Sequence, residues 1–135
     1  MNKHTDTQGR CEALEARAYL VRVCGESEEA LASDCRAAGD EQGSSEHLQA
    51  VEGLRATVVA LRIELQELRL AYFRRTHNET GVREASDALA ELRVCLSGEP
   101  IDPRGELAAQ GALRGFERTL SEWESPETFS VGADQ

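Results

Sequence analysis

Aromatic residues are scarce in this chain of 135 residues: only 4% are Phe, Trp or Tyr, while 40% are hydrophobic. A core built from this sequence must therefore consist mainly of Leu, Val and Ala. Together with abundant Arg and Glu, this composition favours helices over strands. The length suits one domain. Because no segment shows the alternation typical of a strand, the sequence predicts an all-α fold.

Long hydrophobic runs are also missing. The run Val58–Leu61 ends at Arg62, far short of the roughly 20 apolar residues that span a membrane as a helix. The first ten residues are polar, and no apolar stretch follows Lys3 as it would in a secretory signal. The sequence therefore predicts a cytoplasmic protein with no membrane partner, whose cysteines are reduced.

Positive charge is in short supply, since the formal net charge is -10. A protein that binds duplex DNA needs a basic face, because neutralisation of phosphates supplies much of its affinity. Residues 69–75 form the main cluster of arginines with aromatic residues, with three arginines beside Tyr72 and Phe73. The charge therefore disfavours nucleic acid as a partner and favours proteins that carry basic patches.

The chain contains none of the common catalytic or cofactor motifs, such as a glycine-rich phosphate loop, paired zinc-binding cysteines or a His-Glu-x-x-His helix. A di-iron bundle needs Glu three residues before His, but Ser44 precedes His47 and Arg74 precedes His77 at that spacing. We therefore expect no enzyme activity, no cofactor and no metal site. A buried pair of titratable groups assembled only by the fold remains an alternative.

The strongest periodic signal lies in residues 46–77, where apolar residues recur at alternating steps of three and four. This heptad seam consists of Val51, Leu54, Val58, Leu61, Leu65, Leu68 and Tyr72. β-Branched residues at the first heptad position with Leu at the fourth are typical of two-stranded coiled coils. The helix also has a second apolar face, so it lies between two partners, within one chain or between two. We expect the seam to be the interface of a homodimer.

The predicted architecture is a bundle of four to five helices around the central helix 46–77. A single helical domain covers residues 10–124. A disordered lead, residues 1–9, precedes it, and a disordered acidic tail, residues 125–135, follows it.

The flanking helices are predicted from apolar spacing and from helix-ending residues. Residues 10–38 form either one helix weakened at Gly25 or two linked helices, and residues 39–45 form a loop. A third helix spans residues 82–96. A fourth begins at Pro103, which suits the first position of a helix, and ends near Glu124.

Arginines recur every seven residues beside the seam, at Arg55, Arg62 and Arg69. Neither Arg62 nor Arg69 has a carboxylate three or four residues away, so any acidic partner must come from another helix. Acidic residues flank the apolar faces of the first and fourth helices in the matching way: Glu15, Glu117 and Glu124. This pattern favours ion pairs between helices, and the alternative is a stripe that binds acidic groups.

Two further features of the surface can be read from spacing. Glu84, Asp87 and Glu91 stack on the outer face of the third helix, either as a solvated face or as an acidic surface for a basic partner. On the fourth helix, Gly111 and Gly115 lie on a strip of small residues. Because glycine within a helix costs about 1 kcal/mol relative to alanine, this strip predicts close approach by another helix.

These observations favour a non-enzymatic protein–protein interaction protein, an adaptor or assembly factor that acts through helix–helix contacts and associates with itself. The first alternative is a small acidic inhibitor, of the antitoxin, immunity or phage anti-defence type, that occludes a basic surface of a target protein. The second alternative is an all-α enzyme or ligand carrier without a recognisable motif.

Overall fold

The computed structural model describes residues 3–96 and 103–123. Within these ranges the chain forms four α-helices and no strand, which confirms the predicted all-α bundle. The helices are α1 (Lys3–Ala37), α2 (Glu41–Arg75), α3 (Glu79–Leu96) and α4 (Pro103–Trp123). The central helix is not the one long element that the heptad pattern suggests, because α1 and α2 both have 35 residues.

Helix α1 is continuous and begins before the predicted boundary near residue 10. Residues 3–9, expected to be a disordered lead, belong to the helix, whose first turn contains Asp6. Thr7 is buried, and its hydroxyl accepts a hydrogen bond from Arg75 of α2 at 3.3 Å. Gly25 does not break the helix. It is buried with the Leu54 side chain beside it, so tertiary packing outweighs its low helix propensity.

The turn between α1 and α2 is much shorter than the predicted loop over residues 39–45. Gly39 has a φ of 81° and ends α1 in the left-handed conformation that glycine tolerates. Asp40 then caps α2, because its carboxylate accepts a hydrogen bond from the Gly43 N–H at 2.9 Å. Ser44, in the first turn after this cap, is buried inside the helix.

The core lies where α1, α2 and α4 meet. Its buried members are Val21, Cys24, Leu54, Val58 and Ala109. Partly buried residues of α2 and α4 pack around them, among them Leu61, Leu113 and Phe116. Helix α2 is thus the central element, in contact with each of the other three helices.

Helices α3 and α4 cover different parts of α2. Gly81 at the start of α3 lies against the ring of Phe73, and Arg93 near its end lies 3.8 Å from Glu67, so α3 runs back along the C-terminal half of α2. Helix α4 crosses the N-terminal half, where Gly53 meets Gly105. The predicted tail, residues 125–135, lies outside the described residues.

Candidate protein-binding groove

The heptad seam, predicted as a homodimer interface, faces the chain's own core. Val51, Leu54, Val58 and Leu65 are at most 8% exposed. The other three seam residues, Leu61, Leu68 and Tyr72, are half-buried. Leu54 and Val58 pack against Val21 of α1 in the core cluster. Because α1 of the same chain lies along this seam, a contact with a second chain requires a different surface.

Ion pairs join α1 and α2 along one edge of their antiparallel hairpin. Arg69 binds Glu15, and Arg55 binds Glu29. The pair between Arg69 and Glu15 is an ion pair between helices, as the pattern favours, and it involves one of the three acidic residues predicted to flank the neighbouring helices. The carboxylate opposite Arg55 was not predicted, although Glu29 lies two heptads after Glu15 and that spacing could have revealed it.

Glu117, one of the two acidic residues predicted beside the apolar face of the fourth helix, does not pair with an arginine of α2. Glu117 binds Arg17 of α1 and so fastens α4 to the first helix. Glu124 lies outside the described residues. Two of the three arginines beside the seam are therefore paired, and their partners both come from α1.

The middle position of this edge departs from the pattern. Arg22 is midway between Glu15 and Glu29, and Arg62 is midway between Arg69 and Arg55. In an antiparallel hairpin the two midpoints face each other, and both arginines line one cavity. This edge of the hairpin therefore has an ion pair at each end and two arginines between them. We call the middle position, with Arg22 and Arg62, the central rung.

The two central arginines differ in their surroundings. The Arg22 Nε lies 3.9 Å from a Glu26 carboxylate oxygen, and its guanidinium carbon lies 5.3 Å from the centre of the Tyr19 ring. Such a contact between a cation and an aromatic face is favourable. Arg62 is exposed and forms no ion pair with any described residue. Within the described part of the chain, Arg62 is thus the arginine of the heptad stripe that has no carboxylate partner.

Between the two helices, beside this central rung, lies a groove of about 470 Å³ that we call the α1–α2 groove. Its apolar lining consists of Val21, Gly25, Val51, Leu54, Val58 and Val59. Its charged lining consists of Arg22, Arg55 and Arg62 with Glu26 and Glu29. The three arginines and two glutamates give the groove lining a net charge of one positive unit, whereas the whole chain has a net charge of -10.

The α1–α2 groove lies in line with the surface that α3 covers. Val59, Gln66 and Phe73 are seven residues apart and so form one stripe along α2. Gly81 of α3 lies against Phe73 at one end of the stripe. At the other end, around Val59, no described residue of α3 or α4 lines the groove. The N-terminal half of α2 therefore lacks the helix that covers its C-terminal half.

The predicted acidic residues of α3 share one exposed face. Glu84, Asp87 and Glu91 are all exposed, while Ala85 and Leu89 of the same helix are buried against α2. The steps of three and four continue to Val94, which is 71% exposed. The outer face of α3 thus carries three carboxylates followed by one apolar side chain.

The buried titratable groups are placed for packing. Cys24 is 1% exposed, and burial raises its pKa to about 11, with further contributions from the carboxylates of Glu28 and Glu117. A thiol with such a pKa is a poor nucleophile at neutral pH. Glu28 binds the His47 Nδ1 and links α1 to α2. Among residues 3–96 and 103–123, no three His, Cys, Asp or Glu side chains are grouped so that they could hold a metal ion.

In the described part of the chain, no helix is both long and apolar enough to cross a membrane. Comparisons of this chain with protein-family models, with curated proteins and with solved structures found no match.

Proposed function

We propose that this chain is a non-enzymatic binding protein that receives a helix of another protein chain in the α1–α2 groove. The observation that carries this proposal is the central rung of the hairpin, where Arg22 and Arg62 face each other beside an apolar floor. A carboxylate from a partner would convert this like-charge rung into the acid–base pairing that its two neighbours have.

The groove also has the mixed character of a helix-binding surface. Peptide helices dock into grooves through apolar side chains at intervals of three and four residues, and charged residues at the rim select the partner. Val58 and Val59 supply the apolar floor, and Arg62 lies at the rim. The overall negative charge does not prevent binding of an acidic helix, because screening at physiological salt limits each charge to a range of about 8 Å.

Site-specific photo-crosslinking tests this function. We expect Val59→p-benzoylphenylalanine, expressed in the cells that make the protein, to form a covalent adduct with a protein chain. The matched control is the same replacement at Arg114, which is exposed on α4 and does not line the groove. Circular dichroism of both variants checks that the helices are intact. Absence of an adduct at position 59, or an identical adduct at position 114, would contradict the proposal.

The acidic inhibitor is a second candidate, because three carboxylates on the outer face of α3 are exposed together. In that case the acidic face, and not the groove, would bind a basic surface of a target. The photo-crosslinker separates the two, since a target held by α3 would be captured from position 87 and not from position 59.

A ligand carrier is less well supported. A cavity of about 410 Å³ lies between α2 and α4, and among the described residues that line it Glu106 is the one with a charge. Ligand sites usually combine an apolar cavity with several convergent polar groups that fix the ligand's orientation. The cavity between α2 and α4 does not provide such a set.

A further inference from the structure

We infer that the helix received by the α1–α2 groove is α3 of a second copy of this chain. Each copy then binds the outer face of the other copy's α3 in its own groove. The inference rests on the proposed function and identifies its partner. It joins two surfaces of the same molecule: a groove whose Arg62 has no carboxylate partner among residues 3–96 and 103–123, and an exposed face of α3 whose carboxylates form no ion pair with a residue in those ranges.

The charges on the two surfaces have the same spacing. Arg55 and Arg62 are seven residues apart on α2, and Glu84 and Glu91 are seven residues apart on α3. At 1.5 Å per residue, each interval is about 10.5 Å along a helix axis. A helix α3 laid along the groove therefore places Glu91 opposite Arg62 when Glu84 lies opposite Arg55, which already binds Glu29 of its own chain.

The positions of the two surfaces allow both contacts at once. The groove lies on the N-terminal half of α2, and α3 lies on the C-terminal half. When two copies associate with their α2 helices antiparallel, the groove of each copy meets α3 of the other. The result is a closed twofold dimer with two identical contacts, the commonest form of symmetric assembly.

Charge reversal on each surface, followed by mixing, tests this dimer. The groove variant is Arg22→Glu with Arg62→Glu. It keeps two like charges at the central rung, but it also removes the contacts of Arg22 with Glu26 and with the Tyr19 ring, so its helix content is compared with that of the wild type before association is compared. The α3 variant is Glu84→Arg with Glu91→Arg. Sedimentation velocity over a dilution series, with circular dichroism as the check on folding, measures association of the wild type, of each variant and of the mixture.

We expect the wild type to dimerise and each variant alone to bind itself at least roughly tenfold more weakly, because each self-contact then opposes like charges. In the mixture, the acidic groove meets a basic α3, and the unaltered groove of the second variant meets the unaltered α3 of the first. Both contacts are thus complementary, and the mixture should recover the dimer.

The matched control is Arg114→Glu with Arg118→Glu on the exposed face of α4, which changes the net charge by the same amount as the groove variant. It should dimerise like the wild type. A wild type that stays monomeric at every concentration, variants that dimerise unchanged, a mixture that fails to recover, or a control as weak as the groove variant would each overturn the inference. A monomer that still forms a groove adduct with a different protein would leave the proposed function standing.

Discussion

Two cysteines show how far the surroundings set the chemistry of one residue type. Cys24 lies in the core where α1, α2 and α4 meet, and Cys95 is exposed near the end of α3. Burial is the main reason that the pKa of Cys24 is raised to about 11, against 9.0 for a free thiol. Since the thiolate is the reactive form, the two residues should differ strongly in their reactivity.

We expect iodoacetamide at pH 8 to alkylate Cys24 at least roughly tenfold more slowly than Cys95, because burial keeps the reagent away from the Cys24 sulfur and raises the pKa of its thiol, whereas Cys95 is exposed. Peptide mass spectrometry over a time course measures both rates in one sample. In denaturant the two rates should become similar, which is the control for sequence effects. Equal rates in the native protein would contradict the burial of Cys24.

At the scale of elements, α4 docks through small residues, but not through those predicted. Gly111 and Gly115, expected at a close helix contact, have no atom within 4 Å of the position of an added Cβ. The close contact instead joins Gly53 of α2 to Gly105 of α4. The spacing of Ala109, Leu113 and Phe116 identifies the packed face of α4 correctly, and the strip of glycines lies off that face.

Gly53→Ala should therefore destabilise the protein by about 2–3 kcal/mol, since its new Cβ would lie 2.6 Å from the Cβ of Ala109 and closer still to the Gly105 carbonyl. Gly111→Ala is the matched control. There we expect a gain of about 0.5–1 kcal/mol, because alanine favours the helix and meets no neighbour. Urea unfolding followed by circular dichroism measures both, and a stable Gly53→Ala variant would refute the close contact.

The sequence predicts most of the elements because helix patterning is local. Apolar spacing and Pro103 identify α3 and α4 to within a few residues. The start of α2 is missed because the polar residues after Asp40 look like a loop, although they form the first turns of a helix capped by that aspartate. The α1–α2 groove could not be predicted, since it depends on which residue of α1 faces Arg62, and that register is set by tertiary packing.

For the molecule as a whole, the central rung should lower the stability of the free chain and raise its affinity for a partner that supplies a carboxylate. Two facing arginines destabilise the isolated hairpin slightly, whereas a partner's carboxylate turns the same pair into an attractive contact. Binding sites are commonly less stable than they could be, because residues selected for function are not optimal for folding. Arg62 is the residue at which the two requirements conflict in this chain.

The single substitution Arg62→Glu should accordingly stabilise the isolated chain, by about 0.5 kcal/mol, because it gives the central rung an acid–base pair with Arg22. Urea unfolding in dilute protein measures this, with Arg114→Glu as the control that changes the charge equally elsewhere. The same substitution should weaken association. A loss of stability, or a gain equal to that of the control, would show that the two arginines do not interact.

The tight turn at Gly39 also dictates an order of folding. The hairpin pairs His47–Glu28, Arg55–Glu29 and Arg69–Glu15 span sequence separations of 19, 26 and 54, and they lie at increasing distance from the turn. The pair Arg17–Glu117, which fastens α4, spans a separation of 100. Closing a long loop costs more chain entropy than closing a short one. The contacts of the hairpin should therefore form first next to Gly39 and then further from it, and α4 should dock last. The groove therefore exists as soon as the hairpin is complete, before α4 has covered the opposite side.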